Sequence, residues 1–174
     1  VMSLSLTGCN NKTDDQSSKT SQVSENTEQE KESKFGGNIA VQSENYKISL
    51  PIMTYLFSYN YQSYLSYYGT YMSYYGFDSS KSLKEQYYDE TNKQTWFDYF
   101  MSMTKDYIQQ TLVLAEAAKA DGMELDNSDL ENIKTSMTQL ESNASEQSMT
   151  ADEYVAKFYG DGVSQKDIEE CLKL

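Results

Sequence analysis

The residue types that could carry out chemistry in this chain are two cysteines, 27 aspartates and glutamates and 14 lysines, with no histidine and no arginine. Without an imidazole there is no general base for a Ser/His or Cys/His pair and no histidine-containing zinc site. Carboxylates alone could form a glycosidase pair or a calcium site. However, the sequence lacks an Asp-x-Asp-x-Asp-Gly loop, a glycine-rich phosphate loop and a CxxC pair. We therefore expect no catalytic residue, no metal and no cofactor in this chain.

Cys9 lies in a sequence that suits lipid attachment. Leu6-Thr7-Gly8-Cys9 follows an apolar segment and precedes the polar run that begins at Asn10, and this order resembles the bacterial lipobox. The resemblance implies cleavage before Cys9 and a diacylglycerol on its thiol, which would anchor an extracytoplasmic protein to the bacterial cell membrane. Residues 1–8 are then the end of a signal peptide. Its first methionine and lysines are missing, so we expect the sequence to be truncated.

Residues 9–45 are expected to be the lipidated cysteine and a disordered polar linker. The run from Asn10 contains hardly an apolar residue, and such a run cannot bury enough surface to offset the entropy of ordering. Near its end, Ile39-Ala-Val41 and Tyr46-Lys-Ile48 alternate like a short strand pair around a polar turn. The folded domain is then expected over residues 46–174.

Five patterns typical of helix starts predict that this domain is all-α, with at most one short strand or hairpin. The expected N-caps are Ser49, Thr95, Asp126, Thr150 and Ser164. Glycines at positions 76, 122 and 160 are expected to end the first, second and fourth helices. The fifth helix runs into the last residues without a C-cap, which also indicates a truncated sequence.

Apolar residues at three- and four-residue spacing predict the buried face of each helix. The face predicted for the first helix is Met53, Phe57, Tyr61, Tyr64, Tyr68, Met72 and Tyr75. The face predicted for the second is Phe97, Phe100, Thr104, Tyr107, Thr111, Leu114 and Ala118. The face predicted for the third is Leu130, Ile133, Met137 and Leu140. Cys171 is expected to be a small buried hydrophobe rather than a reactive thiol.

The order of these motifs resembles the N-terminal chaperone domain of SurA/PrsA-type foldases, the parvulin-linked peptidyl-prolyl isomerase lipoproteins of bacteria. The matching segments are 46–49, 112–125, 126–133, 149–154 and 162–168, and the resemblance covers about three quarters of the chain. It implies an orthogonal or extended helical domain that cradles unfolded secreted polypeptides. The family's isomerase module carries histidines and is absent from these residues, so peptidyl-prolyl isomerase activity would need a further region. The chain departs from the family in its tyrosine content and in an insertion-like stretch over 78–94.

The first helix carries the main candidate for a binding surface. No charged residue occurs between Ile48 and Phe77, and ten of the sixteen tyrosines fall between Tyr46 and Tyr75. Polar residues interrupt this run too often for a membrane span. One interpretation is an uncharged helix surface with no special role. The other is a sequence-tolerant surface for unfolded chains or a wall polymer, formed by the outer tyrosines Tyr55, Tyr59, Tyr67, Tyr71 and Tyr74.

The overall charge narrows the classes of partner. A formal net charge of -13 repels nucleic acid and favours neutral or basic partners. The sequence therefore favours a membrane-tethered chaperone or foldase fragment that binds unfolded secreted polypeptides and is not itself an enzyme. A surface lipoprotein that binds a small ligand or a cell-wall glycan is the alternative. The third possibility is a secreted enzyme whose active part is missing.

Overall fold

The computed structural model describes residues 38–174, so Cys9 and the first part of the predicted linker lie outside the described residues. Residues 38–174 fold into five α-helices and two small antiparallel strand pairs, which confirms the predicted all-α class. The elements are β1 (Ile39–Gln42), β2 (Lys47–Ser49), α1 (Leu50–Met72), a 3-10 turn (Ser73–Tyr75), β3 (Tyr87–Asp89), β4 (Gln94–Thr95), α2 (Trp96–Ala120), α3 (Asn127–Glu146), α4 (Ala151–Tyr159) and α5 (Gln165–Leu172).

Local side-chain chemistry sets the start of each helix. All five predicted N-caps are confirmed, because each accepts a backbone hydrogen bond from the first turn of its helix. In α2 to α5 the cap and a following acidic residue form a complete capping box. In α1 the Ile52 N–H donates to Ser49 Oγ at 3.3 Å, and Pro51 stands in the first turn. Caps of this kind each contribute about 1 kcal/mol.

A buried carboxylate joins the first strand pair to α2. Glu116 is 7% exposed, and one of its oxygens accepts from Ser43 Oγ at 2.6 Å and from the Asn45 backbone N–H at 2.7 Å. Its other oxygen accepts from Asn45 Nδ2 at 2.6 Å. These hydrogen bonds, the one from the Asn45 side chain most of all, hold the pKa of Glu116 below its usual value. The strand pair predicted around this turn is confirmed, because β1 pairs with β2, although β1 and the turn fall within the range that the sequence assigned to the linker.

We expect Glu116→Gln to lower the free energy of unfolding by about 1–3 kcal/mol near pH 7, because the amide replaces one acceptor oxygen by a donor. Folding lowers the pKa of Glu116, so the stability that the carboxylate contributes is present above its unfolded pKa and is lost as pH falls through its folded pKa. Urea denaturation of both proteins at about pH 7 and about pH 3 measures the difference. A difference that does not shrink on acidification would contradict this account.

The core consists of three buried clusters. The first lies between β2, the start of α1 and the middle of α2, and comprises Ile48, Ile52, Leu56, Ile108 and Leu112. The second lies between the end of α1 and the start of α2, and comprises Met72, Phe77, Trp96 and Phe100. The third joins α4 and α5 beneath α3, and comprises Val155, Val163 and Ile168. These clusters fix the rotation of α1 and α2 about their own axes.

The buried face of α2 differs from the predicted one. Phe100 and Thr104 are buried as predicted, but Tyr107 is 51% exposed and Leu114 is 70% exposed. The observed buried face mostly follows a four-residue spacing and comprises Trp96, Phe100, Thr104, Ile108, Leu112, Ala115 and Glu116. Ile108 and Leu112 face the first cluster, which turns the second half of α2 by about one residue from the prediction. Ile108 and Leu112 are more apolar than Tyr107 and Thr111, and this difference in the sequence already favoured their burial.

Helix α3 is only lightly covered. Of its 20 residues Ala144 alone is buried, and Leu130, which was predicted to be buried, is 46% exposed. Ile133, Met137 and Leu140 are half-buried, and the last two pack against the third cluster. Helix α3 contacts α4 and α5, so its first turns have few apolar neighbours to bury Leu130.

The stretch 78–94, for which the sequence predicted no element, contains the second strand pair. Gln86 is 8% exposed and orders the preceding loop, since its Nε2 donates to the carbonyls of Asp78 at 3.0 Å and Lys81 at 3.1 Å. Strand β3 then brings the ring of Tyr88 to 4.9 Å from the ring of Trp96. The stretch therefore covers the second cluster rather than extending away from it.

Candidate polypeptide-binding surface

The end of α1 presents a highly exposed aromatic surface. Tyr67, Tyr71 and Tyr74 are 80%, 64% and 82% exposed. Their spacing of four and then three residues places the three rings within about 60° of one another around the helix axis. No charged residue occurs in the whole of α1. The three tyrosines are therefore exposed, as the sequence predicted, on α1 and the uncharged 3-10 turn that continues it.

Two further tyrosines that were predicted to be buried enlarge this surface. Tyr68 is 52% exposed and Tyr75 is 74% exposed. Beyond Tyr64, the residues of α1 that pack against the second cluster are Leu65 and Met72. Tyr68 keeps a ring contact with Tyr64 at 4.8 Å, but the second cluster covers neither Tyr68 nor Tyr75. We name the five exposed residues the tyrosine face: Tyr67, Tyr68, Tyr71, Tyr74 and Tyr75.

Tyr55 and Tyr59 belong to a different environment. Tyr59 is 51% exposed, but it lies about 12 Å along the helix from Tyr67. Tyr55 is half-buried, with its ring 6.1 Å from that of Tyr59 and in edge-to-face contact with Tyr159 at 4.9 Å. Burial raises the pKa of Tyr55 well above its usual value. Tyr55 is therefore not an outer tyrosine, because α4 packs against that side of α1.

Ring contacts connect the tyrosine face to the core. The ring centroids of Tyr67 and Tyr68 are 6.5 Å apart, and those of Tyr68 and Tyr64 are 4.8 Å apart. Tyr64 meets Tyr99 at 5.9 Å, and Tyr99 stacks on Tyr88 at 4.3 Å. Burial raises the pKa of Tyr99 to about 12, so this phenol stays neutral at physiological pH. The exposed rings thus rest on a packed and uncharged base.

Residues 38–174 include side chains of the types that can bind a metal ion or act as a reactive thiol. In this part of the chain no three Cys, Asp or Glu side chains lie where they could hold a metal ion together. Burial raises the pKa of the Cys171 thiol to about 11, so the thiol is protonated and a poor nucleophile at neutral pH. Cys171, predicted to be a small buried hydrophobe, is half-buried and packs against the first cluster. No helix of the described residues has the length and apolarity to cross a membrane.

The fold and the surface together define an all-α domain with two small strand pairs and an uncharged helix face rich in tyrosine. No protein-family model, curated protein or solved structure matches this chain. The resemblance to the chaperone domain of SurA/PrsA-type foldases therefore stays a prediction.

Proposed function

We propose that this chain is a membrane-tethered, extracytoplasmic chaperone or foldase fragment that holds unfolded secreted polypeptides on its tyrosine face. The observation that carries the proposal is the exposure of five tyrosines on α1 and on the 3-10 turn that continues it, neither of which contains a charged residue. The lipid anchor expected on Cys9 would keep this surface outside the membrane, where secreted chains emerge unfolded. The resemblance to SurA/PrsA-type domains supports the same role.

The tyrosine face is large enough for a protein contact. Its five side chains are between 52% and 82% exposed, and a fully covered tyrosine buries roughly 150–250 Å². The face therefore offers on the order of 500–900 Å², against about 800 Å² that each partner contributes to a standard interface. Exposed apolar patches of this size mark interaction sites on soluble domains.

The chemistry of tyrosine suits a partner without a fixed sequence. Its ring packs on any apolar side chain, its hydroxyl reaches backbone groups, and its two side-chain torsions lose little entropy on contact. The net charge of -13 favours neutral or basic segments over nucleic acid. The uncharged face lets such segments approach without having to desolvate a charge.

Replacing Tyr67, Tyr71 and Tyr74 together by serine is expected to raise the concentration of chain needed to suppress aggregation by about tenfold or more, because three aromatic contacts are lost at once. The measurement is light scattering after a chemically denatured protein is diluted into buffer containing wild-type or variant chain. The three side chains are mostly exposed, so the variant should keep its fold. Circular dichroism checks this.

The matched control is the double variant Tyr87→Ser and Tyr107→Ser. These tyrosines are 45% and 51% exposed and lie outside the tyrosine face, on β3 and α2. We expect the control to suppress aggregation within about twofold of the wild type. Full suppression by the folded triple variant, or an equal loss in the control, would argue against the tyrosine face as the binding surface.

A further inference from the structure

A cleft beneath α3 is separate from the tyrosine face. Its volume is about 460 Å³, within the range of roughly 300–1,000 Å³ that ligand sites occupy. Its walls come from Tyr55 of α1, Tyr159 of α4, Ile168 and Leu172 of α5, and from six residues of α3: Thr135, Ser136, Met137, Gln139, Leu140 and Asn143. None of the residues that line the cleft is charged, although the chain as a whole carries a net charge of -13.

One wall of the cleft is apolar and held in place. The rings of Tyr55 and Tyr159 meet edge to face at 4.9 Å, and Ser58 Oγ donates a hydrogen bond to the Tyr159 carbonyl at 2.7 Å. Ile168 is 6% exposed and belongs to the third cluster. Burial raises the pKa of both phenols, so this wall stays neutral. The wall is therefore formed before any ligand arrives.

The polar side chains that line the cleft lie on α3. Thr135, Gln139 and Asn143 are four residues apart and so share one helix face. Gln139 Nε2 donates to Asn143 Oδ1 at 2.8 Å. This bond leaves Gln139 Oε1 as an acceptor and Asn143 Nδ2 as a donor without a partner among the described residues. One acceptor beside one donor is the complement of a peptide group, which presents N–H and C=O together.

We propose that the cleft binds a short, uncharged segment of extended polypeptide, with a bulky apolar side chain against Tyr55 and Tyr159 and a peptide group against Gln139 and Asn143. Both the absence of charge and the presence of apolar and amide side chains in one cleft match such a segment. They exclude chain termini and acidic or basic side chains, which would lose hydration without gaining a partner. This inference rests on the proposed function. It adds a second contact site for the polypeptide, which prefers uncharged segments with a bulky apolar side chain.

The first test titrates the isotope-labelled full chain with the blocked peptide acetyl-Gly-Ser-Phe-Ser-Gly-amide and follows amide chemical shifts by NMR. We expect saturable shifts at residues 135–143 and around Ile168 and Tyr159. Replacing the phenylalanine of the peptide by glycine should weaken binding about tenfold or more, and replacing both serines by aspartate should do the same. The first change removes the apolar side chain that the cleft recognises. The second adds charges that the uncharged cleft cannot pair.

The second test compares Gln139→Glu with Thr138→Glu. Both residues are exposed and adjacent on α3, and both variants add one negative charge, but only Gln139 lines this cleft. We expect Gln139→Glu to weaken binding of the neutral peptide about three- to tenfold, because the glutamate cannot donate to Asn143. Binding to Thr138→Glu should stay within about twofold of the wild type.

Three results would overturn the cleft proposal: no saturable shifts in the cleft, equal binding of the charged peptide, or equal binding of N-acetyl-phenylalaninamide. The last result would assign the cleft to a small neutral ligand instead of a polypeptide. The two proposals fail separately. If the peptide does not bind but the triple serine variant loses aggregation suppression, only the cleft is rejected. If the peptide binds but that variant suppresses aggregation fully, only the tyrosine face is rejected.

Discussion

Replacing Phe100 by alanine is expected to lower the free energy of unfolding by about 3–5 kcal/mol. Phe100 is 0% exposed, and its ring centroid lies 5.2, 5.3 and 5.9 Å from those of Tyr61, Tyr64 and Trp96. Alanine would leave a cavity bordered by large rings that cannot easily move to fill it. Since small domains are stable by only about 5–15 kcal/mol, this single change removes a large share of the total.

Denaturation with urea, followed by circular dichroism, measures the loss. Phe97→Ala is the matched control because Phe97 is the same residue type on the same helix, but is only half-buried. Its ring packs on Phe57 at 5.2 Å and lies under the Lys84 ammonium at 4.6 Å. We expect the control to lose about 1–2 kcal/mol, because part of the space it leaves is open to water. Equal losses in the two variants would show that Phe100 has no central place in the second cluster.

Gly160→Ala is expected to lower the free energy of unfolding by about 2–3 kcal/mol. Gly160 follows α4 with φ 127° and ψ 152°, a backbone conformation that only glycine adopts without strain. A Cβ at this position would also lie 2.9 Å from Thr54 Cγ2. Thr54 cannot turn away without cost, because its Oγ1 donates to the Leu50 carbonyl at 2.9 Å.

Gly69→Ala is the matched control for this prediction, because it makes the same change where neither backbone strain nor a neighbouring atom opposes the added methyl group. Gly69 lies within α1, and an added Cβ would have no heavy atom within 4 Å. Alanine in a helix interior is favoured over glycine, so we expect a gain of about 0.5–1 kcal/mol. Thermal and urea unfolding of both variants should therefore shift in opposite directions. Two shifts of the same sign would contradict the conformational argument.

The helix starts could be predicted because the interactions that make them are local. Each N-cap bonds to a backbone N–H within its own first turn, as Thr95 does with Asp98 at 3.1 Å, so the residues that decide the start are neighbours in the sequence. The same holds for Gly76, whose φ of 78° suits glycine and which ends the 3-10 turn that continues α1. Together these signals specified the all-α class.

The candidate surface could be predicted only in part. The absence of charge from α1 and the spacing of Tyr67, Tyr71 and Tyr74 are properties of the sequence, and these side chains are exposed. The sequence did not show that α4 packs against the side of α1 that carries Tyr55, or that Tyr75, which was predicted to be buried, is exposed. All five are tyrosines of α1 or of the 3-10 turn that follows it. Which of them face solvent depends on where the other helices pack.

The sequence by itself determined the class of fold, the helix starts and the uncharged, tyrosine-rich character of α1, because these follow from composition and from bonds between near neighbours. The tertiary structure alone decided which tyrosines at the end of α1 face solvent, the link from Glu116 to the turn at Ser43, and the cleft between Tyr55 and Gln139. The physical reason is the range of the interactions. These features join residues that are far apart in the chain, and their geometry is fixed only when the helices pack.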